Sequence, residues 1–80
     1  MSYLKGILKQ YKFVMKETIG TLSESAKGWT KELSFVSWND KDPKYDIREW
    51  SPDHSKMGKG VTLSKEEIVV LRDMLKGMSL

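Results

Sequence analysis

The sequence predicts an α+β domain with element order β-β-β-β-α. Two observations lead there. Residues 13–63 hold four apolar or β-branched stretches separated by turn residues, several with period-two alternation. Residues 64–78 then switch to an apolar stripe at helical spacing behind a capping signature.

Each element has a local reason. Phe13 to Ser23 mixes apolar and β-branched residues with interleaved charges and reads as a strand. The stretch Ser23-Glu24-Ser25-Ala26-Lys27-Gly28 is a turn, with Gly28 free to take positive φ. Trp29 to Asn39 alternates: Leu33 and Phe35 share one face, and Glu32, Ser34, Val36 and Trp38 share the other. Asn39-Asp40-Lys41-Asp42-Pro43 is a second turn. Tyr45 to Trp50 is a third strand, with Tyr45, Ile47 and Glu49 opposed to Asp46, Arg48 and Trp50. Ser51 to Gly58 is a loop, and Lys59 to Leu63 a short fourth strand.

Ser64-Lys65-Glu66-Glu67 is a capping box. Ile68, Leu71, Leu75 and Met78 follow on one helical face, widened by Val69, Val70 and Met74, with Gly77 as the stop. A helix of about fourteen residues is marginal alone, so its stripe must pack on something. One sheet face uses part of it, and a second copy of the same helix could use the rest. Ahead of the strands, residues 1–12 form an extension, helical or disordered. Leu4, Ile7, Leu8 and Tyr11 are at helical spacing there, with lysines on the other side. Such a basic stretch packs on the domain or lies on an anionic bilayer. Residues 13–80 form the domain.

Eighty residues make one domain with a small core. There are no cysteines, hence no disulfide and no cysteine-ligated zinc. Oligomerisation is the remaining common source of stability, which favours a homodimer. The net charge of +3 and pI of about 9.2 permit an anionic partner without requiring one. No apolar run approaches membrane-spanning length, and Met1 to Lys16 is too polar for a secretory segment. Both points indicate the cytoplasm and no membrane partner.

No catalytic constellation is legible. His54 is the one histidine and reads as a solvated loop residue. Asp40, Asp42, Asp46 and Glu49 match no calcium loop and lie among Lys41, Lys44 and Arg48, so surface pairing is expected of them. Gly58-Lys59-Gly60 is too short for a phosphate-binding loop. The chain is therefore expected to be no enzyme and to need no metal or cofactor.

Three tryptophans stand out in so short a chain. Trp29 heads its strand and is compatible with a core edge. Trp38 has the parity opposite to Leu33 and Phe35, and Trp50 shares a face with Arg48. If Leu33 and Phe35 face the core, Trp38 and Trp50 face out. An open sheet face bearing indoles and cations suits single-stranded nucleic acid, whose bases stack on aromatics while Lys and Arg neutralise phosphates. Trp and Arg also dominate protein–protein hot spots, so composition leaves a protein-interaction module open as well.

One stretch carries more. "YDIREW", a short polar loop and "GKGVTLSKEE" leading into a helix resemble the single-stranded-DNA-binding domain of the positive cofactor 4 (transcriptional coactivator p15) family. "GWTKELSFVSWNDKDPKYDIREWSPDHSKMGKGVTLS" looks most like its bacterial YdbC-type branch. The resemblance covers Lys27 to about Leu75. It implies a strongly curved four-stranded antiparallel sheet backed by one helix, and a homodimer through the helices, with Ile68, Leu71, Leu75 and Met78 at the interface. It also implies grooves for single-stranded DNA bound with little sequence preference, in transcription regulation or in DNA replication or repair, at the nucleoid. By position, the stacking aromatic before the second turn falls on Trp38, the strand arginine on Arg48, the following aromatic on Trp50 and the lysine between glycines on Lys59. Where family members often place lysines after the turn aromatic, this chain has Asn39-Asp40-Lys41-Asp42, and Val36 stands where a basic residue is expected. Lys41, Lys44 and Lys56 are the further phosphate candidates. RNA is an alternative ligand, since no residue identifies a 2′-hydroxyl reader.

Overall fold

A computed structural model describes residues 12–80. The expected helix at 2–11 lies outside the described residues. Strands β1 (Phe13–Glu24), β2 (Thr30–Trp38), β3 (Lys44–Trp50) and β4 (Met57–Leu63) precede helix α1 (Lys65–Lys76). The four strands form one antiparallel sheet in the order β1-β2-β3-β4, each paired with its sequence neighbour. This is the α+β arrangement that the alternation and the capping box predict. The fourth strand starts two residues earlier than expected, at Met57.

The turns follow their residues. Between β1 and β2, Gly28 takes φ 85°, and its N–H donates to the Ser25 carbonyl at 2.9 Å. Between β2 and β3, Asn39 and Asp40 both have positive φ, and Lys41 N–H donates to the Trp38 carbonyl at 2.9 Å. That is the primed turn that matches strand twist, and Asn and Asp tolerate it best among residues with a Cβ. The helix begins as its sequence dictates. Glu67 N–H donates to Ser64 Oγ, and Ser64 N–H donates to Glu67 Oε1. Gly77 caps the other end.

Register sorts the side chains into two faces. Leu33 opposes Ile47, Phe35 opposes Tyr45, Ile47 opposes Val61 and Tyr45 opposes Leu63, which builds one apolar face. Ser34 opposes Asp46, Asp46 opposes Thr62, and Glu32 opposes Arg48, which builds the other, polar at its centre. Helix α1 packs on β3 and β4. Over these strands only the apolar face suits its half-buried Ile68, Val69 and Leu71.

The sheet is strongly curved. Trp38 is the last residue of β2, whereas Trp50 pairs with Thr30 at its start. A straight strand would separate those levels by roughly 26 Å. Yet the Phe13 ring touches both indoles, at centroid distances of 5.8 and 5.3 Å. Strand β1 allows the bend by lengthening. Its ladder with β2 has three irregularities, so that Lys16, Ile19 and Leu22 are each an extra residue without a β2 partner. Bulges of this kind sharpen twist and curl.

Curvature overturns one expectation. The face read as outward is the better buried of the two: Glu32, Ser34, Val36, Asp46 and Trp50 are all buried, while Leu33, Phe35 and Ile47 are only half-buried. Among the described residues, Val36 and Trp50 are the buried hydrophobic ones. No residue of α1 is buried, and Val70, Met74, Leu75 and Met78 are exposed. Among the described residues no helix is long and apolar enough to cross a membrane.

Candidate nucleic-acid interface

The candidate site lies in the hollow of the curved sheet. Trp38 is carried there by the end of β2 and fixed by the primed turn. That turn is tied back to the chain ahead of β1: Asn39 N–H donates to the Lys12 carbonyl at 2.6 Å, and Lys12 N–H donates to Asn39 Oδ1 at 3.1 Å. Lys12 Nζ reaches Asp40 Oδ2 at 2.9 Å. This bond raises the Lys12 ammonium above its ordinary range and offsets an acidic charge beside Trp38. Lys41 follows, exposed.

Arg48 reaches the same place from β3. Its guanidinium carbon lies 5.3 Å from the Trp38 ring centroid, a cation–π contact. Trp38, Asn39, Arg48, Met57 and Thr62 line an open cleft of about 290 Å³. Trp38 is half-buried there, and Thr62 and Asn39 are exposed. The cleft thus offers an aromatic, a guanidinium and two short polar side chains within one small volume.

Two sequence expectations need correction. Trp50 does not face out. It has no exposed surface and packs against Phe13 and, at 5.8 Å between centroids, the ring of His54. Its Nε1 is buried without a hydrogen-bond partner among the described residues. The cause is curvature: the sheet curls until Phe13, which pairs with the far end of β2, packs on the Trp50 ring. Arg48 is not a free cation either. Its side chain is 17% exposed and is bonded to Asp46, which is fully buried. Asp46 therefore departs from the surface pairing expected of it.

His54 also departs from expectation. Nε2 lies 2.9 and 3.0 Å from the two Glu32 carboxylate oxygens, and Glu32 is buried and also accepts from Thr30 Oγ1. His54 sits at φ 60°, held in a loop closed by its own hydrogen bonds. Ser51 Oγ, Ser55 N–H and Ser55 Oγ all donate to Asp53 Oδ1, while Lys56 N–H donates to Ser51 Oγ. These donors lower the Asp53 carboxyl to about 2. The loop leaves Lys56 exposed at its end.

Of the remaining lysines, Lys44 opposes Val36 and so belongs to the face of Trp38 and Arg48, exposed at its margin. Lys59 is exposed in the irregular stretch between Gly60 and Met57. The structure therefore brings Trp38 and Arg48 together, keeps Lys41, Lys44, Lys56 and Lys59 in water, and withdraws Trp50. Sequence reasoning missed Phe13, Asn39, Met57 and Thr62. A register of Asp46 against Thr62 would have found the last, but register is a long-range property. No cluster of three or more potential metal ligands occurs among the described residues.

The pattern of the Transcriptional Coactivator p15 (PC4) family matches residues 25–74, more than half of the chain. The chain belongs to this family. The match begins in the turn after β1 and ends within α1, so it contains Trp38, Arg48 and the whole cleft. PC4 membership implies nucleic-acid binding linked to transcription. An uncharacterised protein of Treponema pallidum (strain Nichols) is 66% identical over 61 residues, which cover 76% of this chain and 72% of that protein.

Proposed function

We propose that this PC4-family chain binds single-stranded DNA as a homodimer, with little sequence preference, and serves transcription regulation or DNA replication or repair at the nucleoid. The observation that carries this is the cleft in which Arg48 lies over the half-buried Trp38 ring, on a family domain linked to nucleic acid. Trp38 stacks a base, and Lys41, Lys44, Lys56 and Lys59 neutralise phosphates around it. Trp50 supports the hollow from beneath rather than stacking. Duplex DNA hides the faces of its bases, so the unpaired form is preferred.

The dimer reading is supported by what the single chain leaves uncovered. Val70, Met74, Leu75 and Met78 are each about half exposed or more. Val70, Leu71 and Met74 line an open apolar cavity of about 330 Å³ with Glu66 and Glu67. Val61, on the apolar sheet face, is 50% exposed. With so few of the described hydrophobic residues buried, covering that surface with a second copy is favourable. Of the residues expected at the interface, Leu71 lines that cavity and Leu75 and Met78 are exposed, while Ile68 is half-buried.

The test is titration of the full chain with matched single- and double-stranded oligonucleotides and an RNA competitor, with molecular mass measured alongside. Preferential binding of the single-stranded DNA by a species of twice the chain mass is the expected result. A monomer, an equal affinity for duplex, or tighter binding of the RNA would each remove the corresponding part.

A further inference from the structure

The surroundings of Arg48 do not suit a phosphate clamp. A guanidinium has five N–H groups. In this protein Nε donates to Asp46 Oδ2 at 3.0 Å, Nη2 to Asp46 Oδ1 at 3.2 Å and Nη1 to the Gly58 carbonyl at 3.1 Å. Asp46 is itself held, because Thr62 Oγ1 donates to its Oδ1 at 2.9 Å. The carboxylate has no exposed surface. Its charge therefore cancels that of Arg48 at contact distance, and a phosphate nearby meets a pair of net charge zero. What remains toward the cleft is a flat guanidinium, 17% exposed and held in place over the Trp38 ring. Planar guanidinium stacks on aromatic faces, nucleobases included.

We propose that Asp46, braced by Thr62, is a positioning residue that turns Arg48 from a phosphate counter-ion into a fixed contact surface for one nucleobase in the Trp38 cleft. This rests on the single-stranded-DNA reading above. It divides the work of the site. The exposed lysines set the salt dependence, and the Asp46–Arg48–Trp38 unit senses whether a base is present.

The experiment compares oligo-dT with an abasic oligonucleotide of equal length, each titrated over a range of salt. The proteins are the wild-type chain and the double variant Asp46→Asn/Arg48→Gln, which keeps net charge and approximate shape. On oligo-dT the double variant should lose about tenfold in affinity, a loss within the range of one base contact. On the abasic chain it should lose no more than twofold, and the slope of log affinity against log salt should not change. A loss shared equally by both oligonucleotides, with a slope smaller by about 0.7, would make Arg48 a phosphate contact and overturn the proposal. If the wild type binds both oligonucleotides equally, the proposal also falls, while DNA binding stands. If it binds neither, the DNA-binding reading has failed first. Should the double variant not fold, Thr62→Val removes one brace without touching a charge. It should lower the ratio of oligo-dT to abasic affinity, and an unchanged ratio would count against the proposal.

Discussion

The guanidinium of Arg48 lies over the indole of Trp38, 5.3 Å from the ring centroid, although the two residues come from different strands and are ten positions apart. The contact requires both the register of β2 on β3 and the curl of the sheet. Trp38→Ala would remove one wall of the cleft and leave the buried Trp50 and Val36 in place. Affinity for single-stranded DNA should fall by about 1–3 kcal/mol. Intrinsic fluorescence titration reads it, and unchanged affinity would remove Trp38 from the interface.

Trp50 should behave in the opposite way. It is fully buried against Phe13 and His54. Trp50→Ala should cost about 3–5 kcal/mol of stability, as large-to-small core changes do. Urea denaturation of the two variants side by side should show Trp50→Ala the less stable by a wide margin. Equal midpoints would mean that the ring is not a core residue in solution.

Gly60 pairs with Arg48 in the ladder. A Cβ there would collide with the Ile47 carbonyl oxygen and come within 2.6 Å of Arg48 Cβ. Gly60→Ala should therefore push β4 away from β3 at the cleft. The expected cost is about 1–3 kcal/mol of stability, together with weaker DNA binding. Gly20 is the control, because nothing lies within 4 Å of its Cβ position. Thermal melts of both variants check this, and equal melting temperatures would contradict it.

The Ser51–Lys56 loop should respond to acid. Hydrogen bonds from the Ser55 hydroxyl, the Ser55 backbone and the Ser51 hydroxyl lower the Asp53 carboxyl from 3.8 to about 2. A folded value below the unfolded one means that the carboxylate steadies the loop at pH above about 4 and loses that effect as pH falls through about 2. A carboxyl-carbon NMR titration should give a midpoint well below that of an ordinary aspartate. Asp53→Asn should shift the Ser55 and Lys56 amide resonances at neutral pH. An ordinary midpoint would mean that the loop is not held in this way.

Much of the architecture was legible in the residues. Alternation in β2 and β3, turn chemistry at Gly28 and Asn39-Asp40, and the Ser64–Glu67 box are all local. They depend on a residue's near neighbours and survive without knowledge of the fold. Parity even placed Trp38, Asp46, Arg48 and Trp50 on one face correctly. What parity could not give is how far that face bends. Its three ladder irregularities lie in β1, the strand with the weakest sequence pattern, and they are defined only by pairing with β2.

The order of elements, the turns, the helix limits and the sharing of faces were all written locally in the chain, because each follows from backbone preferences and spacing over a few residues. Tertiary structure alone decided which of those side chains water reaches. Curvature closed the hollow over Trp50, buried Asp46 beside Arg48 and left Trp38 at the rim. Burial is set by contacts between residues far apart in the chain, and no local pattern encodes it.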